Sequence, residues 1–310
     1  MTTPPRHNPM PTTFVAGAGP VATALAGGLR LAGVPVLGLW ARRAAAARTA
    51  GSAAGVAAFS SAPPDILLEA RVVILAVRDA VIGDVAAMLV GTGLVGKRHV
   101  LLHCAGAASA AELLGGVRDK VGGIGTLHPL AAIADGRTAM RALKGGVFGI
   151  EGDDAGRAAA DKLVEALGGV VLHLDSTQMA SYHAAAALAS NYIVAALDAA
   201  AAVLAQAGVS AERAAQALVP LARGAIDNVA ARGTAGGLTG PVRRGDAATV
   251  QRHLDALRAQ PELGEIYRAL ARRALDIASR IMASEAGPDG KPGPDAPDRA
   301  GLAAIRTILG

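Results

Sequence analysis

Eight short apolar runs, separated by helical stretches, fill residues 12–175, and after Asp175 no such run occurs. They are "TTFVAGAG", "VPVLGLWA", a weak "GVAAFS", "RVVILAV", "HVLLHCA", "GGIGTLHP", "GGVFGIEG" and "GGVVLHLD". Most are apolar throughout, which is the pattern of strands covered on both faces by helices. Helical segments such as "PVATALAGGLRLAG" and "DDAGRAAADKLVEALGG" lie between them. This alternation predicts an α/β fold: a Rossmann-type, doubly wound, mostly parallel sheet. Helical stretches at 176–207, 211–231, 247–259 and 262–286 then predict an all-helical second domain. Gly208 is placed to end the first of these, Asp246 to cap the third, and Pro220 to kink or divide the second. The expected organisation is a disordered leader at 1–11, the sheet domain at 12–175 and the helical domain at 176–286. A flexible linker, "GPDGKPGPDAPD", and a short terminal helix complete 287–310.

Aromatic residues make up only 2% of the chain, so its cores are built from Ala, Val, Leu and Ile. The longest apolar run, 184–207, is interrupted by Asn191, Asp198 and Gln206. Alanine favours membranes weakly, so a buried helix is expected there and no membrane span. The first eleven residues carry four prolines and no apolar core of a signal peptide. Cys104 is the only cysteine, which rules out an intrachain disulfide and agrees with a cytoplasmic location. The net charge of +5 has a position: no Asp or Glu precedes Asp65, whereas Arg6, Arg30, Arg42, Arg43 and Arg48 do. There is no basic helix, lysine cluster or aromatic stacking motif to suggest nucleic acid. A small anionic ligand accounts for the asymmetry.

The stretch "FVAGAGPVATAL" puts Gly17-Ala18-Gly19-Pro20-Val21-Ala22 directly after the first strand and at the start of a helix. That is the setting in which G-x-G-x-x-G/A holds a dinucleotide, although a Gly-rich turn alone would read the same. Gly17 would make the tight turn, Gly19 would let the backbone approach a pyrophosphate, and Ala22 would allow close helix–strand packing. The helix start adds free N–H groups and a positive dipole. An NAD site carries Asp or Glu at the end of the second strand for the ribose 2′-hydroxyl. Here the chain reads "GLWARRAAAAR", without a carboxylate, and Arg42 and Arg43 present forks suited to a 2′-phosphate. NADP(H) is the expected cofactor. Trp40 serves either the core or the adenine.

Carboxyl ends of later strands face the same crevice. Ala76, Val77 and Arg78 follow "RVVIL", and Cys104 and Gly106 follow "HVLLH", so both groups are expected at the cofactor. His128 follows "GGIGTL" at the crevice mouth. No metal site is expected: His99 and His103 would stand about 13 Å apart along a strand, and no C-x-x-C or H-E-x-x-H occurs.

With its GAGPVA turn, "VVILAVRDAVI" and helical second half, the chain resembles the 6-phosphogluconate dehydrogenase-type reductases. That group includes pyrroline-5-carboxylate reductase, ketopantoate reductase and β-hydroxyacid dehydrogenases. The motifs "LHCAGAAS", "GTLHPL", "YHAAAALASNY" and "LTGPVRRGDAATVQRHL" look closer still to Rossmann-like proteins with a C-terminal domain of unknown function 2520, over residues 12–280. The resemblance implies a dinucleotide domain followed by a helical domain that often mediates dimerisation. It also implies a Lys and an Asn four residues apart on the first long helix of that second domain, the Lys donating a proton. Asn191 fits the Asn, but Ala187 stands where the Lys should be, and no lysine occurs between Lys162 and Lys291.

His183, one turn further back, is the candidate to carry that proton. On a continuous helix His183 and Asn191 share a face about 12 Å apart, enough to line one pocket. His128 is a rival acid and His103 a weaker one. In "LTGPVRRGD", read as a polar loop, Thr239, Arg243 and Arg244 are candidates for an anionic substrate; a loop leading into the Asp246 cap is the plainer account. The expected function is an NADP-dependent reductase of a small C=O or C=N substrate, dimeric through its helical domain. The alternative, motivated by the missing lysine, is a non-catalytic NADP(H)-binding sensor.

Overall fold

The computed structural model describes residues 10–284 and 297–310. Most of the expected leader and linker lies outside the described residues. The chain divides into two compact units, Met1–Ser190 and Asn191–Gly310.

The first unit opens with β1 (Thr13–Ala16), α1 (Pro20–Leu31), β2 (Val36–Ala41), α2 (Ala44–Ala54) and β3 (Ala58–Ser60). It continues with β4 (Val72–Leu75), α3 (Ile82–Gly91), β5 (Val100–His103), α4 (Ala110–Leu114) and β6 (Gly123–Thr126). These six strands form one sheet in the order β3-β2-β1-β4-β5-β6, parallel throughout. Neighbouring strand residues point to opposite faces. Val15, Val72 and Ile74 meet α1 and α2 on one side, while Phe14, Ala16, Val73 and Leu75 meet α3 and α4 on the other. That double cover is why the strands read as apolar throughout. The strand order reverses between β1 and β4, which opens a crevice beyond their carboxyl ends.

The run "GGIGTLHP" is cut in two. β6 closes the first sheet, and β7 (His128–Pro129) belongs to a second one. After α5 (Gly136–Ala142), β8 (Val147–Ile150) pairs antiparallel with β7 and, beyond α6 (Asp154–Ala166), parallel with β9 (Val170–His173). Two backbone hydrogen bonds stitch the sheets together, Thr126 N–H to Glu151 O at 2.7 Å and Asp153 N–H to Ile124 O at 3.1 Å. The Asp153 carboxylate also caps α6 through Gly156 N–H at 2.8 Å. A capping box between Asp175 and Gln178 then starts the turn into α7 (Met179–Ala189).

The second unit is all helix: α8 (Asn191–Gln206), α9 (Ala211–Gly237), α10 (Gly240–Arg244), α11 (Ala247–Ala256), α12 (Pro261–Ser284) and α13 (Arg299–Leu309). Val250, Leu254, Leu275, Ile305 and Leu309 form its core. Arg268 and Arg272 donate to the carbonyls of Ile308 and Leu309 at 2.9 and 2.8 Å, which satisfies the end of α13.

Four expectations are corrected here. The stretch Ser176–Gln206, long and apolar enough by length and composition to cross a bilayer, is not one helix. Ser190 leaves helical geometry at φ −125°, ψ −74°, so His183 and Asn191 do not share a continuous face. Ser190 and Asn191 are poor helix-interior residues, and the alanines around them contribute little packing to resist the break. Nor is the stretch buried: Leu188 is 65% exposed and Val194 68%. Helix α9 runs through Pro220, which lies on an exposed face where the freed carbonyl meets water; the backbone departs at Gly233 instead, with φ +68°. Finally, "LTGPVRRGD" is no plain loop. Pro241 in the first turn and the left-handed Gly245 bracket the short helix α10, the usual asymmetry of helix ends. Asp246 does cap α11, accepting from Thr249 N–H at 3.0 Å.

Candidate active site

A cavity of about 720 Å³ occupies the crevice at the carboxyl ends of β1, β2, β4 and β5. Gly17, Ala18, Gly19, Pro20 and Val21 form its floor, Arg42 and Arg43 one wall, and Ala76, Val77, Arg78 and Cys104 the other. Its size falls in the range of about 300–1,000 Å³ usual for ligand sites.

The local geometry fits a dinucleotide. Gly17 has φ +143°, and a Cβ there would stand 2.1 Å from the Ala76 carbonyl oxygen, so only glycine makes this turn. A Cβ on Gly19 would meet nothing within 4 Å, so this backbone faces open space where a pyrophosphate can approach. Pro20 starts α1 without an N–H to satisfy. Among the described residues, Arg42, Arg43 and Arg78 take part in no ion pair or side-chain hydrogen bond. No carboxylate stands at the end of β2, and the one in the lining, Asp79, follows β4. Trp40 lines the cavity but is 3% exposed, and its Nε1–H donates to Ser61 O at 3.3 Å. Burial, with Asp79 adding to it, pushes the Cys104 thiol up to about 12, which leaves it an unreactive thiol.

The structure places Gly106 elsewhere, beneath a cluster of histidines. A Cβ on Gly106 would lie 2.5 Å from His183 Nδ1 and 2.7 Å from His128 Nε2, so both rings close on this one bare backbone position. The His128 and His183 rings meet edge to face, 5.5 Å between centroids. The second sheet creates this meeting. β7 carries His128 opposite Gly149 of β8, and α7 lays Tyr182 over that pair. Gly149 leaves the room: a Cβ there would stand 2.6 Å from the Tyr182 hydroxyl. Tyr182 Oη and His128 Nδ1 are 2.8 Å apart. Burial, and then the neighbouring His183, lower His128 to about 4, so it is neutral at ordinary pH. Burial pushes the Tyr182 phenol up to about 12. Of the pair, His183 is the solvent-exposed one.

His103, the weaker rival acid, is fully buried and bonded to Thr126 and Ala105, so it cannot meet a substrate. Asn191, Thr239, Arg243 and Arg244 all lie in the second unit. Asn191 begins α8, Thr239 precedes α10, and the two arginines close it. Their assignment rests on the sequence alone. Tyr182 and Gly149 escaped the sequence reading. The one signal was that Tyr182, one of three tyrosines, adjoins His183 in a run of alanines.

A doubly wound parallel sheet with a glycine-floored crevice, followed by a helical unit, defines a Rossmann-type architecture. Residues 146–274 match the family described as Domain of unknown function (DUF2520), so the resemblance read from the motifs holds over that segment. No curated protein matches the chain in sequence. Among solved structures, a Thermotoga maritima protein superposes with a TM-score of 0.68 at 22% identity, covering 87% of this chain and 99% of its own. A pyrroline-5-carboxylate reductase from Coxiella burnetii gives 0.57 at 17% identity, covering 86% and 98%. A reductive aminase from Aspergillus terreus, in complex with NADPH and ethyl-5-oxohexanoate, gives 0.58 at 18%, covering 96% and 99%. At these identities the likeness establishes the fold.

Proposed function

We propose that the protein is an NADP(H)-dependent reductase of a small, anionic C=O or C=N compound. The observation that carries this reading is the pair of arginines, Arg42 and Arg43, just after β2 and without a partner among the described residues, where an NAD site keeps an acid. The bare backbone at Gly19 and the start of α1 would hold the pyrophosphate, and the guanidinium forks the 2′-phosphate. When bound, the cofactor supplies hydride. The chain's own part is to place and protonate the substrate. His183 is the proton carrier in this reading, because His128 is neutral and too weakly basic to arrive protonated. His128, fixed by Tyr182, orients the substrate as a neutral hydrogen-bonding partner. Asn191, Thr239, Arg243 and Arg244 are proposed substrate contacts, and the exposed helix faces of the second unit are proposed to pair with a second copy of the chain.

Calorimetry with NADPH and NADH tests the cofactor assignment. NADPH should bind at least about tenfold more tightly, and the double change Arg42→Ala with Arg43→Ala should erase that preference while leaving NADH binding nearly unchanged. Equal affinity for the two forms in the unaltered protein would refute it. Absorbance at 340 nm with keto acids and cyclic imines then tests turnover. Tight NADPH binding without turnover of any of them would favour the sensor, for which the absent lysine is the supporting observation.

A further inference from the structure

Among the described residues, Glu151 at the end of β8 is the only buried acid, 6% exposed. Its Oε2 accepts from Ala110 N–H at 2.7 Å and from the Thr126 hydroxyl at 3.4 Å. Thr126 Oγ1 lies 3.3 Å from His103 Nε2, and His103 Nδ1 accepts from Ala105 N–H at 3.2 Å. The directions follow from the chemistry. Nδ1 is used as an acceptor, so in the neutral ring Nε2 carries the hydrogen and donates to Thr126, whose own hydrogen goes to Glu151. Burial, with His128 adding to it, lowers His103 to about 4, against a hydrogen bond to the Ser109 backbone carbonyl that raises it, so the ring is neutral.

This chain of side chains fastens both ends of the segment 104–110. Ala105 is held through His103, and Ala110 is held by Glu151 directly. Between them sits Gly106, the backbone position on which His128 and His183 close. An interior carboxylate is a poor way to stabilise a fold, since apolar side chains of similar volume often do as well. What a fully bonded, directional chain adds is one defined geometry. We infer that Glu151 is a positioning residue. Through Thr126 and His103, and directly at Ala110, it sets the 104–110 backbone at the height that the His128–His183 pair requires. The inference rests on the reading of that pair as the proton-handling group.

The experiment compares Glu151→Leu and Thr126→Val, which cut the chain, with Glu151→Gln and Thr126→Ser, which keep an acceptor oxygen and a hydroxyl. Full-length protein is used throughout. The first readout is the titration of the His128 ring by NMR, with the groups that face it, His183, Tyr182 and His103, followed in the same spectra. The cutting variants should loosen the segment and admit water, moving His128 up from near 4 toward its ordinary 6.5. The second is turnover at saturating NADPH, where kcat should fall by about tenfold or more with the KM for NADPH little changed. The conservative variants should stay close to the unaltered protein in both. Should Glu151→Leu fail to fold, Thr126→Val supplies the same readings. If the cutting variants melt earlier but keep the His128 titration and full kcat, Glu151 is a stability element only and the inference fails. If no substrate is ever reduced, the reductase reading falls by itself, while the His128 titration still decides whether Glu151 sets this geometry.

Discussion

Two histidines held neutral by their surroundings make the first unit sensitive to acid. His128 and His103 each titrate near 4 in the folded protein, both chiefly through burial, against 6.5 for a free side chain. A lowered folded value means that protons bind the unfolded chain more readily. The stability that neutral rings allow is therefore complete above pH 6.5 and is lost as pH falls through 4. Each shift corresponds to about 3 kcal/mol, and their sum is an upper bound for the two together because the rings also repel one another when charged. Urea midpoints measured from pH 7 to pH 4 should fall steeply. His128→Asn and His103→Asn should each flatten that slope by about one proton. Parallel slopes in all three proteins would show that neither ring is as dry as the structure has it.

Elements differ in how openly the sequence announces them. β1, β2, β4 and β5 were legible because burial leaves each strand a solid apolar word, whereas β3, exposed to half-buried at the sheet edge, read weakly; the Gly17 turn was legible because its backbone angle is a local demand. The place of Arg42 and Arg43 in the cavity wall was legible for the same reason: it follows from standing just after β2. The second sheet was not, since nothing local to Leu127 says that the chain leaves one sheet for another there. The meeting of His128 with Tyr182, 54 residues apart, depends on that change of sheet and on the missing side chain of Gly149. Alanine hid the break at Ser190, because a run of alanines carries no periodicity to interrupt. Pro220 misled in the opposite direction, with a strong local signal overridden by an otherwise intact helix on an exposed face. It follows that Pro220→Ala should raise the melting temperature, by about 1–3 kcal/mol of added stability, with the circular dichroism unchanged. A loss of stability would mean that the ring is needed for packing.

For the whole molecule, the apolar surface of the second unit is the feature that asks for a partner. Leu221 is 71% exposed, and Tyr192, Val194 and Ile226 each at least 50%. Exposed apolar side chains of this kind are what the pairing proposed above would cover. Light scattering should return twice the chain mass for the unaltered protein and a single mass for Leu221→Glu combined with Val194→Asp. A monomer in both cases would dispose of the pairing proposed above. The span 146–274 has a separate lesson in it. It opens on a strand whose partner β7 lies upstream, and it closes inside α12, short of the helix that Arg268 and Arg272 hold at the other end. An expressed fragment with those limits would lack neighbours on both sides and should aggregate. The stretch that marks the family and the piece able to stand alone are different lengths of this polypeptide, and swapping domains between relatives at the former's borders would sever the β7–β8 pairing at one end and the hold on α13 at the other.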